Sequence, residues 1–191
     1  MRISLRQGFG AAPQVLEQSW ADVLGLYQVA VNAHGRYASK EQVPLVAFGE
    51  YSVDDGHRDK FGNPTGPGFR EACLTQEGLW CIGLDYDDTP WQEGLRVIEL
   101  AKQLSPQGGL WHTTWQHGLT GNEVVRMRIV LPLGRGGVAC SVPAEQWPTV
   151  WEAIAGALAA PGLDTQCKNV GRCWYLPSSG IPNQPPLWGA W

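Results

Sequence analysis

Asp85, Asp87 and Asp88 fall within four residues, at the end of an apolar run containing Leu79, Trp80, Ile82 and Leu84. Like charges placed this close repel, and the cost reaches several kcal/mol where they are even partly buried. Side chains alternate along a strand, so Asp85 and Asp87 share one face while Tyr86 and Asp88 point the other way. Two carboxylates side by side at a strand end suit a divalent cation, whose charge offsets their repulsion. A solvated strand end carries the same D-x-D pattern, so the partners decide between the two readings. Asp88, in the turn before a helix, is expected only to support the helix start.

The partners are basic. In "RMRIVLPL" (126–133), Arg126 and Arg128 have the same parity and share one face of a strand. If that strand lies next to the D-x-D strand, paired arginines beside paired aspartates make a nucleotide-triphosphate and metal site. Salt bridging is the plainer alternative. His117 is placed where it could donate to a phosphate oxygen. His112, five residues earlier, has the opposite parity, and chemistry alone does not separate the two. Asp164, eight residues before Arg172, is either a third carboxylate on the same sheet face or a turn residue after "PGL".

The elements that must position these groups follow from periodicity. A short strand "RISL" opens the chain, and Ser19 can cap a helix with Val23, Leu24, Tyr27 and Ala30 on one side. "VPLVAFGEY" (43–51) reads as a strand. The polar stretch 54–70 reads as a long loop in which His57, Arg58, Lys60 and Arg70 are candidate phosphate or template contacts, with plain solvated charge as the default reading. Strand 79–87 is followed by Thr89-Pro90-Trp91-Gln92, a capping box with proline at the first helical position. That helix, with Trp91, Leu95, Ile98 and Leu104, stops at "SPQGG" (105–109). Strands 110–115 and 124–133, joined by a turn at 118–123, come next, then a helix with Trp147, Val150, Trp151, Ile154 and Leu158, then strand 172–177.

The order β-α-β-β-α-β predicts an α+β fold, a ferredoxin-like, RRM-like palm with both helices on one face of an antiparallel sheet. In that fold the first and third strands are central neighbours, with the fourth and second flanking them. The organisation expected is an N-terminal α/β portion at 1–78, the palm at 79–179, and a proline-rich tail at 180–191, either a linker or a docking tail.

Net charge is −4, so a nucleic-acid partner must be held by a local patch and not a whole-surface field. The five cysteines form no C-x-x-C pair and read as reduced thiols, neither a zinc site nor a disulfide framework. No apolar stretch suits a membrane helix and no secretory leader is visible, so a soluble, cytoplasmic protein without a membrane partner is expected.

"GLDYDD", "HTTWQHG", "VRMRIVLPL" and "GLDTQCKNVGRCWYLPS" resemble, in order and spacing, the motifs of the archaeo-eukaryotic primase superfamily. The nearest likeness is to primase-polymerase domains of phage and plasmid replication proteins, over residues 79–179. The resemblance implies that Asp85, Asp87 and Asp164 ligate two Mg²⁺ or Mn²⁺ ions, about 4 Å apart as in two-metal sites generally. It implies that His117 contacts the incoming NTP or dNTP, together with Arg126, Arg128 and Arg172. Where the family's second motif has a small residue, this chain has Trp115. The function implied is nucleotidyl transfer onto a 3′-hydroxyl on a single-stranded DNA template, in a domain that works beside a replicative helicase. Two other readings remain open: a non-catalytic DNA-binding replication-initiator module on a degenerate primase fold, and another metal enzyme, such as a nucleotide cyclase or nuclease, on a similar palm.

Overall fold

The computed structural model describes residues 1–8, 13–51, 74–118, 123–135, 138–181 and 183–191. The loop at 54–70, with His57, Arg58, Lys60 and Arg70, lies outside the described residues, as do Cys73 and positions 119–122 of the 118–123 turn. The chain opens with strands β1 (Arg2–Arg6) and β2 (Gln14–Glu17), helix α1 (Trp20–Asn32), and strands β3 (Leu45–Ala47) and β4 (Gly49–Tyr51). Strand β5 (Leu74–Leu79) leads into β6 (Cys81–Pro90), and helix α2 (Trp91–Leu104) follows. Strands β7 (Leu110–Thr113) and β8 (Val124–Pro132) come next, then the small pair β9 (Gly134–Arg135) and β10 (Val138–Ala139). Helix α3 (Trp147–Ala157) precedes β11 (Trp174–Tyr175) and β12 (Trp188–Ala190). The fold is therefore α+β, with antiparallel sheets.

Ser19 caps α1 as its spacing predicts, and Asp22 completes a reciprocal capping box. The expected neighbours also meet: β6 pairs antiparallel with β8, and β7 flanks β8 on the far side. Alternation divides that sheet cleanly. Ile82, Leu84 and Tyr86 of β6, with Val125, Met127, Ile129 and Leu131 of β8, face α2 and α3 in one buried cluster. The opposite parity meets a second layer, in which Cys81, Leu110 and Val130 pack with Ile3, Val46, Phe48, Tyr27 and Trp174. The D-x-D and R-x-R positions belong to this second face, so they look away from α2 and α3 and toward the side on which α1 packs.

Three expectations fail for tertiary reasons. The strand expected to flank β6, now β11, pairs with β3 in a separate sheet of order β11-β3-β1-β2. Its Trp174 lies under the β6–β8 sheet against Gly83, where any Cβ would come within 2.7 Å of the indole. The vacated β6 edge is bonded by 162–164: Asp164 N–H donates to Asp85 O and Asp87 N–H to Gly162 O. The tail takes the docking alternative and not the linker one: β12 pairs with β7 and extends the sheet to β12-β7-β8-β6. Trp191 packs on Gly109, and its indole donates to Ser105 O. Finally, no capping box opens α2: Pro90 is the cap residue, and the Thr89 hydroxyl donates to Pro161 O at 2.7 Å. "VPLVAFGEY" is likewise two short strands, interrupted at Phe48. No helix among the described residues is long and apolar enough to cross a membrane.

Candidate nucleotide and metal site

Register places the acids and bases opposite one another. Asp85 of β6 lies across from Arg128 of β8, and Arg128 from His112 of β7, so one cross-strand row reads His112–Arg128–Asp85. Arg128 forks onto Asp85, donating from Nε to Oδ1 at 2.5 Å and from Nη2 to Oδ2 at 3.0 Å. Its third nitrogen donates to Tyr175 O at 3.0 Å. Both side chains are about nine-tenths buried. Burial alone would raise the Asp85 pKa, but the guanidinium charge and its hydrogen bonds outweigh this and hold it below the ordinary value.

Beyond Tyr86 the β6–β8 register slips, and the strand bulges until Thr89 regains pairing. Asp88 adopts φ 51° in this bulge, so the simple alternation breaks there. Instead of supporting the helix cap, Asp88 accepts two hydrogen bonds from Arg126, at 2.8 and 2.7 Å. Arg126 also donates to Gln116.

Asp164 arrives from the other side. It caps a short 3-10 turn (Thr165–Lys168) through Gln166 N–H, and its second oxygen accepts from Arg172 Nη2 at 3.0 Å. The same Arg172 nitrogen lies 3.6 Å from Asp85. Gly162 makes this docking possible. Its φ is +84°, and a Cβ there would fall on the Asp87 carbonyl oxygen.

The opening problem of repulsion is thus answered by three arginines, one on each of Asp85, Asp88 and Asp164. Asp87 is left over. Among the described residues it has no ion pair and no side-chain hydrogen bond. Loss of water on its inner side, then the Asp85 charge, raise its pKa above the ordinary carboxylate value.

Asp85, Asp87, Arg128 and Arg172 line one cleft of about 370 Å³, together with Lys40, His112, Trp115 and Tyr175. A cleft of that size accommodates a small ligand. Lys40 stands 4.9 Å from the centre of the Tyr175 ring at its wall. Neither Lys40 nor Tyr175 is a candidate site residue from the sequence; the pairing of β11 with β3 sets Tyr175 across from Leu45, five residues after Lys40. The two histidines separate as well. His117 stacks on Trp91, with ring centres 6.0 Å apart, and does not line the cleft. His112 does, and burial followed by the Arg128 charge lowers its pKa to about 3, so its ring is neutral. Arg126, spent on Asp88 and Gln116, does not line the cleft either.

Asp85, Asp164 and Cys167 each bring one ligand atom within 4.8 Å of the others, a grouping that could hold a metal ion. Burial, then the Asp85 charge, push the Cys167 thiol up to about 12, so the carboxylates are the effective donors. Carboxylate oxygens beside one unbalanced acid fit a hard divalent cation. No family model, no curated protein and no solved structure matches this chain.

Proposed function

We propose that the cleft binds a nucleoside triphosphate and transfers its nucleotidyl group to a 3′-hydroxyl on a single-stranded DNA template. One observation carries this reading: Asp85, Asp87 and Asp164 converge from β6 and the 162–164 segment beside a cleft edged by Arg172 and Lys40. Asp87 and Asp164, with Asp85 behind them, would hold one or two Mg²⁺ or Mn²⁺ ions. When bound, such ions supply Lewis-acid stabilisation of the triphosphate and lower the pKa of the attacking hydroxyl. The chain's own groups do the rest. Arg172 and Lys40 meet the phosphate charge, and Tyr175 and Trp115 wall the ligand from water. Arg128 fixes the Asp85 carboxylate and is not itself available to phosphate.

The test is primer extension and de novo synthesis on single-stranded DNA, with each nucleotide type and with Mg²⁺ or Mn²⁺. Product from the parent, lowered at least a hundredfold in Asp87→Asn while the fold persists, is the expected result. Absence of product from folded parent under every condition overturns the proposal. A second reading, a DNA-binding initiator module, is favoured by the Arg128 fork, which occupies both Asp85 oxygens. On that reading DNA binds tightly without incorporation, and Asp87→Asn leaves binding intact or strengthens it.

A further inference from the structure

His112 is only 1% exposed and lines the cleft. Its Nδ1 lies 2.9 Å from Thr113 O, and a carbonyl oxygen only accepts, so Nδ1 carries the proton. Nε2 of the neutral ring is then a bare acceptor, and among the described residues it is buried with no hydrogen-bond partner. The nearest ring, Tyr27, has its centre 5.5 Å away, and its own hydroxyl is also unpartnered. Leaving a buried acceptor unmade is costly, so a group that arrives with the ligand gains by satisfying it.

That group must be a donor. Phosphate oxygens accept, and at neutral pH they bring no proton for Nε2. Arg128, the cross-strand neighbour, donates to Asp85 and Tyr175 and makes no hydrogen bond to Nε2. We infer that His112 Nε2 accepts a hydrogen bond from a sugar hydroxyl of the bound nucleotide, making His112 the residue by which the site recognises the sugar. This rests on the nucleotide-site reading above and adds to it a division of labour. Arg172 and Lys40 take the anionic end, and the β7 side of the cleft takes the hydroxyl end.

The test needs no variant at first. Binding of a ribonucleoside triphosphate, its 2′-deoxy form and its 2′,3′-dideoxy form is measured by calorimetry on the full chain. Stripping the sugar of hydroxyls is expected to weaken binding at least tenfold in the parent, as an unmet buried acceptor requires. In His112→Phe the three ligands bind within about threefold of one another, and His112→Gln, which retains an acceptor, restores part of the preference. Equal binding of all three ligands to the parent overturns the inference alone, for Nε2 is then satisfied by a trapped water. No binding of any nucleotide defeats both the inference and the site reading.

Discussion

Asp85 and Asp87 are one residue apart on the same face, yet their replacement should have opposite consequences for stability. Asp85 is buried against Arg128 through two hydrogen bonds of 2.5 and 3.0 Å. Unit charges about 3 Å apart attract by about 5–6 kcal/mol at an effective dielectric of about 20. Replacing Asp85 by Ala leaves the guanidinium buried and unpaired, a loss of about 3–5 kcal/mol from a total of about 5–15 kcal/mol. Asp87 is exposed, unpaired and repelled by its neighbours, so Asp87→Asn should leave stability within about 0.5 kcal/mol of the parent, or raise it. The assay is urea unfolding followed by the fluorescence of the ten tryptophans, on Asp85→Ala, Asp87→Asn, Arg128→Met, and Asp85→Ala combined with Arg128→Met. The double variant should lose less than the sum of its singles, by at least about 2 kcal/mol of coupling. Asp85→Ala within about 1 kcal/mol of the parent, or additive losses in the double variant, would refute this account of the pair. The functional corollary is that inactivity of Asp85→Ala has two possible causes, whereas inactivity of Asp87→Asn has one. The metal hypothesis is therefore tested at Asp87.

Gly162→Ala should cost at least about 2 kcal/mol, since φ +84° and the Asp87 carbonyl both oppose a side chain; undiminished stability in urea would mean that the 162–164 segment does not bond the β6 edge. Trp191→Ala should cost about 1–3 kcal/mol by releasing β12 from β7, read as faster exchange of the Gly109 and Thr113 amides, which donate to Trp191 O and Leu187 O. Acid titration of stability should separate the two aspartates. The Asp85 pKa is depressed, so its contribution is present above the unfolded value of about 3.9 and is lost as pH falls through the folded value. The Asp87 pKa is raised, so the parent and Asp87→Asn should be equally stable below about pH 3.9, and the variant's advantage should grow as pH rises through the folded value. A difference that does not vary with pH would mean that Asp87 is not repelled in the folded state.

What could be read from the sequence was whatever depends on local period. The alternation of Ile82, Leu84 and Tyr86 against Asp85 gave the faces of β6, and shared parity put Arg128 opposite Asp85 once β6 and β8 were neighbours. Ser19 announced α1 because its capping bond lies within the next turn. The failures all involve partners distant in sequence. Thr89 has capping spacing, but its hydroxyl found the Pro161 carbonyl, 72 residues away. The bulge after Tyr86 inserts an extra residue without any compositional mark, and it turned Asp88 from the cap to Arg126. β11 sits in a continuous apolar run, Cys173 to Leu176, that suits either sheet, and Trp174 packs in the space left by Gly83. His112 was recoverable: extending the β8 register to β7 puts it across from Arg128, whereas His117 lies past the end of that strand.

The charge arrangement of the cleft ties these observations together. Four aspartates meet three arginines, and the pairing is nearly one to one: Asp85 with Arg128, Asp88 with Arg126, Asp164 with Arg172. Two of the pairs have a structural purpose, since one locks β6 to β8 and the other holds the bulge. Arg172 differs from the other two arginines. It is about one-third exposed, touches both Asp164 and Asp85, and lines the cleft, so it can exchange a carboxylate for an incoming anion without leaving a buried charge bare. If Arg172 swings to a phosphate, Asp87 in the cleft and Asp164 beside it are both left uncompensated. A divalent cation arriving with the phosphate restores neutrality to that pair. Anion and cation binding should therefore be cooperative, each relieving the repulsion that the other's absence leaves. Arg172→Ala should weaken nucleotide binding while strengthening binding of the cation alone, two opposite shifts that a merely structural salt bridge would not produce.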